Sequence, residues 1–499
     1  MAGKRAQVEK ERIYMENWKR DLIQYFEAGA KSAKKKSLGV ELEHFIVDRQ
    51  TKEAVTYAGD KGVRAILTEL MAKYPDAVIL PDDELFGFRV PEFNITLEPA
   101  SQLEISIVPD SSIRDIGKIY RDFTAQLNSI LDKYDYMLCA VGYQPASRVE
   151  DLTLIPKHRY DWMNEYFRTS GTGGMQMMRG TASTQVSIDY ESEEDFRRKL
   201  QAAYYYGPVF KLLMDNVVTF QGEPVKTHLK RTDIWRRTDP ARCGILPGVF
   251  AENYGFGDYA DFIGRMPPIF LKHGKEAELT GDKTVAEIFL DRPMDETMVM
   301  HVLSMAFPDV RLKQYLEIRF ADSAPLPFAL AYCALLKGFL YSESGLAYAQ
   351  EQIRGGKIRE QDFVDAHVPK TVEFSSEYID LEEVKRNKDG YILKPMDAYA
   401  SKGVYAAGRE YEQQAWEALC ADLYGKGMIC QQYCEQYMTP NIDFAWGDGE
   451  WHPYINMPGL YSYNGKVTGI LMRMACEEKI IVAHENERTA PVFVVKGRK

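Results

Sequence analysis

Several short segments of the chain alternate between apolar and polar residues, which is the pattern of a strand that buries one face. Val40-Glu41-Leu42-Glu43 places two glutamates on one face and two aliphatic residues on the other. Leu316-Glu317-Ile318-Arg319-Phe320 repeats the pattern with a glutamate and an arginine on the polar face. We predict strands at residues 39–47, 96–108, 181–190 and 315–320.

Longer segments carry apolar residues every three or four positions, which indicates amphipathic helices that cover the apolar face of these strands. We predict helices at residues 8–32, 63–74, 113–134, 192–214 and 328–349. Ser192 and Asp195 have the spacing of a capping box at the start of the fourth helix. Because strands and helices do not alternate regularly, the pattern predicts an antiparallel α+β fold rather than a parallel α/β sheet.

The chain has 499 residues, which is long for one domain. The turn-like, charged segment Arg354-Gly355-Gly356-Lys357 lies where the pattern changes to short strands separated by Gly and Asp turns. We therefore expect a catalytic domain over residues 1–355 and a smaller α+β domain over residues 365–499. Strands of the smaller domain are expected at residues 391–394, 428–433, 466–474 and 492–495.

Composition and charge exclude several classes of protein. The net charge of −11 argues against a nucleic-acid binder, which needs a dominant basic surface. No run of 18 apolar residues is present to span a membrane. The seven cysteines include no CxxC pair, and the N-terminus is charged without an apolar segment behind it. These features predict reduced thiols and a cytoplasmic location, and they leave a homodimer open.

The polar faces of the predicted strands carry glutamate, arginine and glutamine where a solvated face would mix in lysine and threonine. For any single strand, a sheet with one wet face remains the alternative. Several carboxylates on one face repel each other unless cations lie among them, and Mg²⁺ binds carboxylate and phosphate oxygens together. The candidate metal ligands are Glu41, Glu43, Glu98, Glu104 and Glu317.

Arginine-rich segments complement these carboxylates, because guanidinium groups bind carboxylates and phosphates through two parallel hydrogen bonds. Arg179 directly precedes the strand that carries Gln185, and residues 228–242 contain Arg231 and three further arginines. A charged surface loop is the alternative for residues 228–242. Trp235 within that segment indicates that part of it is anchored.

Six motifs carry a family resemblance over about residues 36–350. In chain order they are GVELEHF, LEPASQLEIS, PKHRYDWMNEYF, MMRGTASTQVSIDY, TDIWRRTDPARCG and RLKQYLEIRFAD. Together they resemble the plant and proteobacterial glutamate–cysteine ligases, the first enzymes of glutathione synthesis. The resemblance implies a curled antiparallel sheet that forms a funnel, as in glutamine synthetase, with helices outside.

The same resemblance implies an ATP- and Mg²⁺-dependent ligase that joins glutamate to cysteine through γ-glutamyl phosphate. It implies that the five glutamates named above bind metal and that Gln185 faces metal or nucleotide. Arg319, Arg231 and Arg179 are its candidate catalytic residues. Plant members write EPGGQFE where this chain has Glu98-Pro99-Ala100-Ser101-Gln102-Leu103-Glu104. Another acceptor amine and an inactive nucleotide-binding regulator therefore stay open as alternatives.

The tail carries a second resemblance, to the C-terminal half of an ATP-grasp domain of the glutathionylspermidine-synthase-like kind. Its motifs are HVPKT, YILKP, SKGV, QQYCE, GILMR and PVFVV. The resemblance implies that Lys394 and Arg473 meet nucleotide phosphates, and that residues 401–403 form a turn over them. A degenerate accessory domain and a second ligase activity, which would add a second amine, are the two alternatives for the tail.

Overall fold

The computed structural model describes residues 17–32, 36–225, 227–273, 276–355, 371–396, 404–406, 411–433, 438–442, 450–463, 466–476 and 488–490. The chain divides into two compact units, Met1–Ala366 and His367–Lys499. Each unit is treated separately below.

The first unit holds the following helices among its described residues: α1 Asn17–Ser32, α2 Val63–Met71, α3 Ile113–Leu131, α4 His158–Phe167, α5 Gly174–Gly180, α6 Glu193–Leu213, α7 Lys230–Arg236, α8 Phe256–Arg265, α9 Val285–Ile288, α10 Glu296–Leu303, α11 Leu326–Leu340 and α12 Glu343–Arg354. Its strands are β1 Leu38–Asp48, β2 Val78–Ile79, β3 Gly87–Arg89, β4 Phe93–Leu97, β5 Leu103–Asp110, β6 Tyr136–Cys139, β7 Ser183–Ile188, β8 Thr219–Phe220, β9 Glu223–Pro224, β10 Cys243–Gly244, β11 Phe270–His273, β12 Glu276–Leu279, β13 Phe307–Pro308, β14 Val310–Leu312 and β15 Leu316–Asp322.

A nine-stranded antiparallel sheet organises the part of this unit that the structure describes. Its strand order is β14-β15-β7-β1-β5-β4-β3-β2, and β6 pairs with β1 off this path. The first half of β1 lies between β5 and β7, whereas its last residues, Phe45 to Asp48, pair with β6. The predicted antiparallel α+β arrangement is confirmed at the level of a large antiparallel sheet with helices.

The sheet buries one face under helices. Val40, Leu42, Ile105, Val186 and Ile318 are each 1% exposed or less. Helix α3 packs against β5 and β6, and helix α6 packs against β15. Burial of each such side chain contributes about 1.5–3 kcal/mol, which fixes the strand register because a one-residue slip would expose the whole apolar set. The polar residues of the same strands must then share the other face.

One predicted strand, residues 96–108, is wrong in its extent, because the structure forms a hairpin there. Strand β4 ends at Leu97 and β5 begins at Leu103. Between them Glu98 N donates to Gln102 O over 2.8 Å, and Ser101 adopts a left-handed φ of 69°. Pro99 has no backbone N–H for a sheet ladder, so the chain turns at this point. A non-glycine residue holds this conformation at a cost of about 1–3 kcal/mol.

The predicted helix at residues 328–349 is two helices, α11 and α12. The chain breaks at Tyr341, and Ser342 accepts a hydrogen bond from Gly345 N as the N-cap of α12. The capping box of α6 is only half formed. Ser192 accepts from Asp195 N, but the Asp195 carboxylate accepts from Glu191 N instead of the cap residue. In the predicted first helix, residues 8–16 lie outside the described residues.

The second unit holds the following elements among its described residues: β16 Thr371–Glu373, α13 Leu381–Arg386, β17 Tyr391–Pro395, β18 Tyr405–Ala406, α14 Gln413–Leu423, β19 Met428–Gln432, β20 Met438–Ile442, β21 Trp451–Tyr463, β22 Lys466–Cys476 and β23 Arg488–Ala490. Two four-stranded sheets have the orders β16-β19-β17-β18 and β20-β21-β22-β23. Phe374, Leu393 and Trp416 form part of a buried core with Cys420. The predicted strand at residues 492–495 and turn at residues 401–403 lie outside the described residues.

Two general expectations can be compared with the described part of the chain. No helix within it is long and apolar enough to cross a membrane. Cys139, Cys243, Cys333, Cys420 and Cys430 are free thiols, in line with the expected reduced state.

Candidate active site

The polar face of the nine-stranded sheet gathers most of the candidate residues. Glu41 lies opposite Gln185 on one neighbouring strand and Ser106 on the other. Glu43 lies opposite Glu104. Glu317 lies opposite Ser187 on β7. Because cross-strand partners share a face, four central strands place their polar residues on one surface. We call the five side chains Glu41, Glu43, Glu98, Glu104 and Glu317 the carboxylate ring.

Glu43 is held by neutral donors. Its Oε1 accepts from Ser183 Oγ at 2.9 Å and from Gln185 Nε2 at 2.8 Å, and its Oε2 accepts from Ser183 N at 2.7 Å. Gln185 also accepts from Arg319 Nη1 through its own Oε1. Gln185 therefore connects Glu43 to Arg319, one of the candidate catalytic residues.

Glu104 is also held by neutral donors, although it lies opposite a second carboxylate. Its Oε1 accepts from Thr96 Oγ1 at 3.0 Å and from Ser106 Oγ at 2.8 Å. Burial raises the pKa of Glu104, and the neighbouring charge of Glu43 raises it further. Two like charges directly opposite each other destabilise a sheet, so the pair Glu43 and Glu104 lowers the stability of this sheet.

Glu41 and Glu98 lack such support. Within the described part of the chain, neither carboxylate accepts a hydrogen bond or forms an ion pair. Burial raises the pKa of Glu41 to about 8, and the charges of Glu104 and Glu317 add to this effect. Burial raises the pKa of Glu98 to about 8, with Glu104 and Glu43 adding to it. A bound cation would therefore stabilise the ionised form of these two carboxylates more than that of the other ring members.

Glu317 differs from the rest of the ring because three cations surround it. Its Oε2 accepts from Arg311 Nε at 2.7 Å and from Arg319 Nη1 at 2.9 Å, and its Oε1 accepts from Lys313 Nζ at 2.7 Å. Burial alone would raise the pKa of Glu317, but Arg311, Lys313 and Arg319 together hold it well below its usual range. Glu317 is thus ionised while fully buried.

A cleft adjoins this cationic end of the ring. It has a volume of about 300 Å³, including space open to solvent, and its walls include Arg231, Trp235, Phe307, Asp309 and Arg319. The Cζ atom of Arg231 lies 5.5 Å from the centroid of the Trp235 ring, and that of Arg319 lies 6.0 Å from it. Such distances allow cation–π attraction.

Two donors in the walls of this cleft have no partner among the described residues: Arg231 Nε and Trp235 Nε1. Burial lowers the pKa of Arg231, which is 4% exposed. Because a buried donor without a partner costs about 1–3 kcal/mol, the pair is suited to an anionic ligand. The alternative of a charged surface loop at residues 228–242 does not hold over helix α7, where Arg231 is buried.

Sequence reasoning missed Asp322. A β-bulge lies between Ile318 and Ala321, and it places Asp322 opposite Ser183, on the same face as the ring. Burial raises the pKa of Asp322 to about 7, although Arg231 acts against this. Strict alternation from Glu317 would have placed Asp322 on the apolar face. Arg311 and Lys313 were also given no role, although both stand in the RLKQYLEIRFAD motif.

Three candidates are not among the residues that the sheet pairing brings together: two have other partners, and the third lies in the second unit. Arg179 donates to Leu152 O at 3.0 Å and to Asn164 Oδ1 at 2.7 Å, which are contacts that hold helix α5 in place. Lys394 donates to Gln431 Oε1 at 2.6 Å on the neighbouring strand of the second unit. Arg473 lies on β22, in the other sheet of that unit. Their functional roles stay predictions.

The chemistry of the carboxylate ring fits Mg²⁺ that arrives with a nucleotide. Within the described residues, no three carboxylate, histidine or cysteine groups already converge as a preformed cage. Mg²⁺ is commonly bound by one or two carboxylates together with phosphate oxygens and water, so a full cage is not required. Glu41 and Glu98 lack hydrogen-bond donors among the described residues, so their oxygens would be available for such binding.

An antiparallel sheet that gathers carboxylates and guanidinium groups on one face, beside a cleft, has the donor set of an enzyme that binds phosphorylated substrates together with metal ions. Comparison with known proteins narrows this class. The chain belongs to the glutamate–cysteine ligase family 2, whose family model matches residues 37–372. The prediction of an ATP-dependent carboxylate–amine ligase of the glutamate–cysteine ligase type is thereby confirmed.

Individual relatives are named glutamate–cysteine ligases as well. The chain is 29% identical to a chloroplastic glutamate–cysteine ligase of Brassica juncea over 360 residues, which cover 70% of this chain and 69% of the relative. It is 28% identical to chloroplastic glutamate–cysteine ligase A of Oryza sativa subsp. indica over 414 residues, which cover 78% and 83%. Among solved structures, a glutamate–cysteine ligase from Francisella tularensis in complex with AMP matches 64% of this chain and 70% of its own. That match has a TM-score of 0.39 and 10% identity.

The predicted cytoplasmic location is wrong by this comparison, because the plant relatives are chloroplastic enzymes. The cysteine pattern is typical of a reducing environment, but it does not distinguish the cytosol from an organelle with a reducing interior. The location was therefore inferred from features that do not determine it.

Proposed function

We propose that the carboxylate ring and the adjoining cleft join the γ-carboxyl group of glutamate to the amine of cysteine through γ-glutamyl phosphate. The single observation that carries this proposal is the convergence on one face of Glu41, Glu43, Glu104 and Glu317 with Arg319. A carboxylate is a poor electrophile and must be activated first. The γ-phosphoryl group of ATP moves to a carboxylate oxygen, so that the bond to ADP breaks as the new P–O bond forms.

The residues of the chain act by binding, orientation and charge. Arg319 meets the phosphoryl group in transfer, and its guanidinium is oriented through Nη1, which donates to both Gln185 Oε1 and Glu317 Oε2. Arg231 and Trp235 line the cleft, and the guanidinium charge of Arg231 attracts an anionic substrate there. Fixed donors that face developing negative charge stabilise the transition state without reorganisation. The amine then attacks the acyl carbon, and phosphate leaves with one of the original carboxyl oxygens.

The five glutamates of the ring are the proposed metal ligands. Mg²⁺, when bound, offsets the charge of the phosphates. The ring has two ends. The charges of Glu43 and Glu104 raise the pKa of Glu98 at one end, and the charges of Glu104 and Glu317 raise the pKa of Glu41 at the other. Two cation positions along the ring would satisfy both ends. Ser183, Gln185, Thr96 and Ser106 would orient the inner carboxylates, as ligand-supporting residues do in metal sites generally.

Isotope transfer tests this mechanism. Glutamate labelled with ¹⁸O in its γ-carboxyl group is incubated with ATP, Mg²⁺, cysteine and the full chain. We expect one labelled oxygen to appear in inorganic phosphate for each ligation. Label in AMP instead would show adenylation and would contradict the acyl-phosphate route.

The acceptor amine is tested separately with a panel of amino acids and polyamines, with ADP release as the signal. Membership of the glutamate–cysteine ligase family supports cysteine as the acceptor. Strong turnover with another amine and none with cysteine would remove that assignment. A chain that binds ATP but releases no ADP with any amine would be a regulator.

We infer two finer features of the fold. The first is that the nine-stranded sheet forms a funnel of the glutamine-synthetase type, which the pairing of the two halves of β1 with different strands supports. The second is that the tail is an ATP-grasp-like unit in which Lys394 meets phosphate. Nucleotide-binding stoichiometry of the full chain tests the tail: two sites per chain, falling to one in Lys394→Met, is the expected result. One site in both proteins would leave the tail as an accessory domain.

A further inference from the structure

The two oxygens of Glu317 are held differently. Oε2 accepts hydrogen bonds from two arginines, Arg311 at 2.7 Å and Arg319 at 2.9 Å. Oε1 has one cationic partner, Lys313 Nζ, at 2.7 Å. A divalent ion that binds Glu317 must therefore share or replace one of these partners, and Oε1 has fewer of them.

The three cations differ in how firmly they are placed. Arg311 is buried and also donates to Ala306 O at 3.1 Å. Arg319 is hydrogen-bonded to Gln185 and lies against Trp235. The side chain of Lys313 is 23% exposed, and its second contact, Tyr315 Oη, is 3.4 Å away. Lys313 can leave Glu317 and still reach water, whereas Arg311 would be left buried and unpaired.

The backbone that carries Lys313 is fixed. Lys313 begins the three-residue connection between β14 and β15, and its N–H donates to Tyr315 O at 2.8 Å. Its carbonyl oxygen lies 2.9 Å from the Tyr190 hydroxyl. Gly29 of α1 lies so close to Gln314 that an added Cβ would be 2.5 Å from the Gln314 Cα. Only the flexible lysine side chain, with its four-carbon stem, is available to move.

We propose that Lys313 is an exchangeable cation, whose ammonium occupies Glu317 Oε1 in the metal-free enzyme and transfers to the nucleotide phosphates when a divalent ion takes that oxygen. The proposal rests on the proposed metal site. Without Lys313, the buried charges of Glu317 and nearby Glu41 would be less compensated before metal binds, and an uncompensated buried charge is costly. After metal binds, the displaced ammonium remains beside the site with its donors unused.

This exchange predicts two effects of opposite sign for Lys313→Met in the full chain. Mn²⁺ binding without nucleotide, measured by the loss of the free-ion electron paramagnetic resonance signal, should tighten about fivefold because a competitor is gone. The KM for ATP at saturating Mg²⁺ should rise about fivefold, because one phosphate contact is lost. Lys313→Arg keeps a cation at this position and should move both values back toward those of the wild type.

Lys199→Met is the matched control, because Lys199 forms a similarly buried ion pair with Asp195 at 2.8 Å outside the carboxylate ring. It should lower thermal stability and leave Mn²⁺ affinity unchanged. If Lys313→Met binds Mn²⁺ no more tightly than the wild type, or if its KM for ATP is unchanged, the proposed exchange is wrong. The proposed function is not affected by that result, because the wild type still turns over and binds metal. Wild-type turnover that persists without any divalent ion overturns the metal site itself. Lys313→Gln gives a second neutral variant should the methionine protein fail to fold.

Discussion

Both ends of the carboxylate ring consist of glutamate side chains, but the charges around those side chains differ. At one end, Arg311, Lys313 and Arg319 surround Glu317 and hold its pKa well below its usual range, against the effect of burial. At the other end, Glu98 has no hydrogen-bond donor among the described residues, and burial raises its pKa to about 8. The protein therefore supplies its own cations at one end and depends on added cations at the other.

This difference separates two tasks. The Glu317 end positions guanidinium groups, and its charge is balanced before any ligand arrives. The Glu98 end is electrostatically incomplete, so it gains most from a divalent ion. A ring that was fully neutralised by arginine would bind no metal, and one without arginine would bind metal but would lack fixed donors for the transferred phosphoryl group.

The largest effect is expected at the balanced end, from Glu317→Gln. Two buried arginines would lose their counter-charge, so unfolding free energy should fall by about 3 kcal/mol. Turnover, followed as ADP release, should fall about a thousand-fold because Arg319 loses its orientation. Glu343→Gln removes an exposed partner of Arg198 and serves as the control with normal turnover. Unchanged turnover in a folded Glu317→Gln protein would remove Glu317 from the site.

A smaller effect should separate the cleft arginine from the helix-anchoring arginine. Arg231→Gln should lower kcat/KM for glutamate about a hundred-fold, because a buried donor to the anionic substrate is lost. Arg179→Gln removes hydrogen bonds to Leu152 and Asn164, so it should lower stability by about 1–3 kcal/mol and change kcat/KM by less than about threefold. A large fall in kcat/KM in an Arg179→Gln protein of unchanged stability would show that Arg179 acts in the active site.

The smallest effect is a pH dependence that has opposite sign at the two ends. Glu41 and Glu98 have folded pKa values of about 8, above the value near 4.3 of an unfolded glutamate. Between these values the folded state binds more protons than the unfolded state, so these groups make metal-free stability fall as pH rises. Glu317 acts in reverse, since its folded pKa is depressed and its contribution is lost only as pH falls below the unfolded value.

Urea unfolding in the presence of a chelator measures this dependence from about pH 5 to about pH 8. Glu98→Gln should flatten the decline in stability, and saturating Mg²⁺ should flatten it in the wild type. A Glu98→Gln protein with the wild-type pH profile would show that Glu98 is not the strained carboxylate that the structure indicates.

Much of the carboxylate ring could be predicted because a strand has a side-chain period of two. That period placed Glu41 with Glu43 and Glu317 with Arg319 before any pairing was known. The pairing of β1 with β5 and β7 then brought Glu104 and Gln185 beside them. The apolar residues between them fix the register, so the polar face follows from the burial of the other face.

The remaining features depend on local breaks in that period. Glu98 was assigned to a strand, but Pro99 and the left-handed Ser101 turn the chain there. Arg179 was assigned to catalysis from a motif alone, but in the structure its guanidinium donates hydrogen bonds to Leu152 O and Asn164 Oδ1. Arg311 and Lys313 were not foreseen beside Glu317, because Arg311 reaches it only through the pairing of β14 with β15.

The bulge in β15 makes chain length itself a determinant of the site. One extra residue between Ile318 and Ala321 shifts the phase of the strand, so Glu317 and Asp322 both reach the polar face although five positions separate them. A strand of the same length without the bulge would alternate strictly and turn Asp322 toward the aliphatic layer. No side chain of the site would be replaced, yet the acidic group beside Arg231 would be lost. Relatives that differ by an insertion or deletion at this point should therefore be aligned by face and not by residue identity.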